Sequence, residues 1–97
     1  MMTREEVLET LRKHKPELQK KYPLASIELF GSYARSEQTP ESDIDILVEF
    51  TEPVGYEFID LLIEFETIFA GCKVDLLSKN GIKPHYRPYI EEDIIHV

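Results

Sequence analysis

The sequence predicts an α+β fold, with three helices and three strands in the order α-β-α-β-α-β around a small mixed sheet. Three observations carry that prediction. Arg4 to Lys21 has the apolar spacing of an amphipathic helix. Three short β-prone runs, at 26–30, 42–50 and 73–78, are bounded by Gly, Pro or polar residues. A second helical stripe lies between the last two runs.

The first helix is marked at both ends. Thr3 with Glu6 three residues later forms a capping box, and Pro23 stops the helix. Val7, Leu8, Leu11, Leu18 and Tyr22 supply its apolar stripe, and His14 beside it is read as structural or exposed. Ser26-Ile27-Glu28-Leu29-Phe30 follows as the first strand, and Gly31 breaks it. Glycine there permits a sharp turn and lets a ligand come close to the main chain. Ser32 reads as the N-cap of a short helical turn through Tyr33, Ala34 and Arg35. Free N–H groups at such a turn suit phosphate. A lone Gly-Ser pair is usually only a strand-to-helix turn, so the next element decides.

After a polar loop through Pro40 comes the strand Ser42 to Phe50. Alternation puts Asp43 and Asp45 on one face and Ile44, Ile46 and Val48 on the other. Carboxylates ~7 Å apart along one strand repel unless a cation lies between them. Magnesium takes hard oxygen ligands, typically one or two carboxylates together with substrate phosphates. A solvated strand edge explains one aspartate; it explains a pair just after a phosphate turn poorly.

The third helix is placed from about Tyr56 to Phe69, after a turn at 51–55. Phe58, Leu62, Phe65 and Phe69 form an aromatic stripe, read as core rather than as a platform for bases. Lys73 to Ser78 is the last strand. The tail from Ile82 is the least regular part, with Tyr86, Tyr89, Ile90 and Ile95 as candidates for the core or for a docking patch.

Composition sets outer bounds. Ninety-seven residues suit one domain, 1–97, with a single modest core. The chain carries a net charge of −8, with ten acids and no Lys or Arg between Ser36 and Cys72. Such a chain is a poor general binder of DNA or RNA. Most of those acids, Glu49, Glu57 and Glu64 among them, read as solvated faces. No apolar run reaches membrane-spanning length and Met1 to Glu6 is no signal peptide, so the expected location is cytoplasmic. The single cysteine, Cys72, reads as a packing residue.

Gly31-Ser32, a ten-residue spacer and Asp43-x-Asp45 together resemble the signature of the nucleotidyltransferase superfamily that includes DNA polymerase β. Within it the chain is similar to the minimal nucleotidyltransferases (MNT), whose extended motif also matches at Ala34, Arg35 and Ser42. The visible departure is Ser36, where these proteins usually carry Gly. The likeness covers essentially the whole chain. It implies the polymerase β-like fold, with the active site expected at the edge where the motif strand ends. It also implies a third carboxylate on another strand, for which Asp75 is the candidate; a salt bridge to Lys73 is the plainer alternative.

The implied reaction is transfer of a nucleoside monophosphate from an NTP, here ATP, to a hydroxyl, releasing pyrophosphate. Asp43, Asp45 and Asp75 would be catalytic and would hold two magnesium ions. Gly31, Ser32 and Arg35 would bind the nucleotide; Lys83 and Arg87 in the tail are read either as phosphate contacts or as solvated surface charges. The implied partner is a small helical HEPN-type RNase toxin, neutralised when AMP is added to a tyrosine. Two alternatives are an antitoxin that blocks its toxin by contact alone, with the intact aspartate set arguing against loss of catalysis, and a transferase acting on a small molecule such as an aminoglycoside, for which the chain is short.

Overall fold

The structure, a computed structural model, describes residues 1–97 apart from 83, 84, 86, 87, 89 and 91. Helix α1 runs Arg4–Lys21 and is closed at its start by both halves of the capping box: Thr3 Oγ1 accepts from the Glu6 N–H, and the Thr3 N–H donates to Glu6 Oε1. It buries Val7, Leu8, Leu11 and Leu18, while Tyr22 caps its end and packs at the margin of the core. Strand β1 is Leu24–Phe30, β2 is Ile44–Phe50 and β3 is Val74–Ser78. Between them lie the short helix α2, Gly31–Ala34, and helix α3, Glu57–Ile68.

A fourth strand, β4, comprises Ile95–His96 and was not expected. Two residues are too few to carry an alternation pattern, so only the long-range pairing to β1 reveals it. The strand order is β3-β2-β1-β4. Strand β1 is antiparallel to both β2 and β4, whereas β2 and β3 run parallel, so the sheet is mixed.

Register divides the sheet into two faces. Leu29, Ile46 and Leu76 lie side by side across three strands, and Ile27, Ile44, Val48 and Val74 share their face. All seven are buried, with Val7 and Leu11 of α1 and Leu61 and Phe65 of α3 in the same core cluster. Phe65 and Phe69 of the aromatic stripe are therefore core. The stripe centres on Leu61, fully buried, with Phe58 and Leu62 at its margin. Cys72 and Ile95 also pack against this core.

The opposite face carries Glu28 and Phe30 from β1, Asp45 and Leu47 from β2, and Asp75 and Leu77 from β3. The carboxylates thus stand on the face away from the α1 and α3 side chains that fill the core. Tyr86, Tyr89, Lys83 and Arg87, singled out in the sequence, lie outside the described residues.

Candidate active site

The turn that ends β1 is built around Asp45. Gly31 has φ +74°, and a Cβ placed on it would lie 2.1 Å from Asp45 Oδ2. No L side chain fits there; glycine is needed both for the backbone torsion and for the room taken by the carboxylate. The pairing explains the contact, because Phe30 is the direct β-partner of Asp45.

Ser32 is not the N-cap that its residue type suggested. Phe30 occupies that position, no side chain caps the turn, and Ser32 lies inside its first turn. The chain stays extended through Phe30 to keep its pairing with β2, so the helical bonds start at Gly31, whose carbonyl accepts from the Arg35 N–H. The first-turn N–H groups still lack helical acceptors of their own.

Asp75 stands beside Asp45 in register on the parallel strand β3. Neighbouring strands are separated by ~4.8 Å, so the two carboxylates share one face at close quarters. Asp75 is exposed and Asp45 half-buried. Burial first, then the charges of Asp75 and Asp43, push the Asp45 carboxyl up to about 6, and the Arg35 guanidinium opposes the rise.

Asp43 lies just before β2, which starts at Ile44 rather than at Ser42. The residues ahead of it form a turn, in which the Ser42 N–H donates to the Thr39 carbonyl at 3.0 Å and the Thr39 N–H donates to Ser42 Oγ at 2.9 Å. Ser42 thereby fixes the entry to the aspartate strand. Lys73 and Asp75 make no ion pair among the described residues, which removes the plainer explanation of Asp75.

Arg35 donates from Nη1 to Asp93 Oδ2 at 3.1 Å and from Nε to Glu37 Oε2 at 3.3 Å. It ties the motif turn to the C-terminal segment while its charge reaches Asp45. Ser36 adopts φ +57°, the left-handed region in which glycine is free of strain. Serine here is thus held in a backbone region that glycine would enter without strain.

No group of three or more His, Cys, Asp or Glu side chains converges to hold a metal ion among the described residues. The expected trio is thus brought to one corner of the sheet without closing around one point. Magnesium does not require such a cage, since one or two carboxylates and substrate phosphates suffice. The Asp45–Asp75 pair, with its raised Asp45 pKa, suits a divalent cation in that way.

One buried acid escaped the sequence reading. Glu28 is 1% exposed on the carboxylate face, paired with Lys79, and its Oε2 lies 2.9 Å from His96 Nδ1. The available signal was an acid inside an apolar run, but its partners come from the turn after β3 and from β4. Glu64 is likewise more than a solvated charge: it accepts hydrogen bonds from Lys21 Nζ and from Tyr22 Oη, tying α3 to the end of α1.

Residues 11–97 match the family model described as the nucleotidyltransferase domain. A Methanocaldococcus jannaschii protein with a provisional protein adenylyltransferase name is 52% identical, over 100% of both chains. Protein adenylyltransferase MntA of Thermococcus cleftensis is 37% identical over 100% of this chain and 98% of its own. Among solved structures, one provisionally described as a minimal nucleotidyltransferase has TM-score 0.81 and 29% identity, over 99% of this chain and 97% of that one. A chain of the complex between a tri-AMPylated Shewanella oneidensis HEPN toxin and its MNT antitoxin has TM-score 0.60 and 20% identity, over 96% and 66%. That last likeness is one of fold.

Proposed function

The chain belongs to the nucleotidyltransferase domain family, and on that premise we propose that it is a magnesium-dependent protein adenylyltransferase acting on a tyrosine of a helical HEPN-type toxin. The observation that carries the reading is the Gly31–Asp45–Asp75 corner. A turn too tight for any side chain abuts one carboxylate, and a second carboxylate stands in register beside it. Relatives named as protein adenylyltransferases support AMP as the transferred group and protein as the acceptor. The MNT–HEPN fold neighbour supports the choice of partner.

In the proposed reaction the acceptor oxygen attacks the α-phosphorus of ATP. A new O–P bond forms, the bond from the α-phosphorus to the α–β bridging oxygen breaks, and pyrophosphate leaves. Ser32 and the N–H groups of the α2 turn hold the β- and γ-phosphates, with Arg35 as a further phosphate contact. Asp43 and Asp45 orient the nucleotide end of the site. Asp75, on the outer strand, faces the acceptor, and the hydroxyl proton passes to its carboxylate as the O–P bond forms. Two magnesium ions, held by Asp43, Asp45 and Asp75, would supply charge neutralisation at the attacking and leaving oxygens.

The acidic surface, net charge −8, fits a protein acceptor better than DNA or RNA. No helix among the described residues is long and apolar enough to cross a membrane, and the proposed site of action is the cytoplasm, by one catalytic domain spanning 1–97. The test is intact-mass spectrometry of a HEPN-type toxin from the same genome, incubated with this chain, ATP and magnesium. An added adenylyl mass is expected. A toxin that is inhibited yet unmodified would favour the contact-only antitoxin instead.

A further inference from the structure

Resting on that reading for the identity of the partner, we propose that the solvent side of helix α3 is the docking surface for the acceptor protein. The occupant is a helix of that protein whose apolar stripe is bordered by Lys or Arg. Tyr56, Ile59 and Ile63 are 87%, 54% and 53% exposed, and with Met1 they are the large apolar side chains most open to solvent among the described residues. Their spacing of i, i+3 and i+7 sets them in one line about two helical turns long. Tyr56 joins the line because its torsions are already helical, with φ −62° and ψ −20°.

The opposite side of α3 faces the core. Leu61 and Phe65 are fully buried there, and Phe58, Leu62 and Ile68 pack against the same cluster. A surface helix normally turns a polar side to water, whereas a helix that is apolar on both sides is one that is covered on both. The chain's own fold leaves the outer side open. A contiguous exposed stripe of this kind marks an interaction surface.

The charges beside the stripe define the partner. Asp60 and Glu66 are both exposed and, at 3.6 residues per turn, fall on opposite flanks of it. Glu57 and Glu64 add to the same helix, in which no Lys or Arg occurs. Lys21 of α1 reaches α3 only to pair with Glu64, at 3.0 Å. A second copy of this chain would set acid against acid along the contact, which opposes self-pairing. A helix with Lys or Arg beside its own apolar stripe matches both flanks, and its ridges seat between Tyr56, Ile59 and Ile63.

Position gives the surface its use. Helix α3 lies over the core face of the sheet, whereas Asp45 and Asp75 stand on the other face. A partner held on α3 therefore leaves the carboxylates uncovered for ATP and for the acceptor hydroxyl. Docking and chemistry are separable in this arrangement: weaker docking raises the amount of acceptor needed without slowing transfer once the complex has formed.

The test uses the full chain, MgATP and a HEPN-type toxin from the same genome. Two variants are compared with the unsubstituted chain: Ile59→Asp with Ile63→Asp, which removes the stripe, and Asp60→Lys with Glu66→Lys, which reverses its border. All four positions are exposed, where substitutions usually leave the fold intact, and thermal unfolding checks this. We expect the toxin Kd to rise by about tenfold or more for each variant, with MgATP affinity and the transfer rate at saturating toxin unchanged. An unchanged toxin Kd for the first variant would overturn the docking surface, and for the second the basic border of its occupant. A dimer of this chain that the first variant dissociates would also overturn the proposal, by assigning the stripe to a second copy. Toxin bound through this surface yet never adenylylated would overturn the functional reading alone. Toxin neither bound nor adenylylated by the unsubstituted chain would overturn both.

Discussion

At the scale of single residues, the site depends on one atom that is missing by design: the Cβ of residue 31. A methyl group there would meet Asp45 Oδ2 at 2.1 Å, and the φ of +74° adds a backbone cost of about 1–2 kcal/mol for any L residue. Gly31→Ala is therefore expected to lower stability by at least that amount and to move the Asp45 carboxylate. The checks are thermal unfolding and MgATP calorimetry, which should show both effects together. Asp45 itself titrates in an unusual range, raised to about 6 from the ordinary value of 3.8 by burial and by its acidic neighbours. A raised folded-state pKa means that the protonated form is favoured on folding. The resulting stabilisation is present below about pH 4 and is lost as pH rises through 6 in the metal-free protein. Cation binding needs the carboxylate, so MgATP affinity should weaken below pH 6 and binding there should release a proton. Calorimetry at pH 5.5 in buffers of different ionisation enthalpy, on this chain and on Asp45→Asn, isolates the proton released by Asp45 from that of ATP.

At the scale of elements, local signals and long-range pairing divide the fold between them. Helix α1 was legible to its last residue, because Thr3, Glu6 and Pro23 mark its ends in the sequence itself. Strands β1 to β3 were found within two residues of their ends, since alternation and Gly or Pro boundaries are local. Strand β4, the capping position at Phe30 and the partners of Glu28 were not legible. Each depends on what lies opposite in the sheet, which no window of sequence contains. The site shows the same division: the residues of the motif could be read, whereas the contact of Gly31 with Asp45 and the register of Asp45 with Asp75 could not. Helix α1 also carries a local conflict. Pro16 lies in its interior, where proline removes a backbone bond and clashes with the preceding turn, at about 3 kcal/mol relative to alanine. Proline recovers about 0.4–1 kcal/mol by restricting the unfolded chain. Pro16→Ala should accordingly stabilise the protein by about 2 kcal/mol in chemical denaturation, with MgATP affinity unchanged.

At the scale of the whole molecule, the sheet separates two tasks. One face, packed against α1 and α3, holds the fold together, and the other presents the carboxylates. Their order across the strands fits the roles proposed for them. Asp45 adjoins the turn proposed for the triphosphate, and Asp75 stands one strand further out, towards the acceptor. On the proposed function, charge developing on the acceptor oxygen in the transition state would be met by Asp75, whereas ground-state nucleotide binding would not. The central claim is that this corner performs AMP transfer, and single-turnover transfer from ATP to the toxin by Asp75→Asn tests it most directly. Near-normal MgATP affinity is expected with transfer reduced by about a hundredfold or more, while the double variant Asp43→Asn, Asp45→Asn loses both. Transfer by Asp75→Asn at the rate of the unsubstituted protein would contradict it.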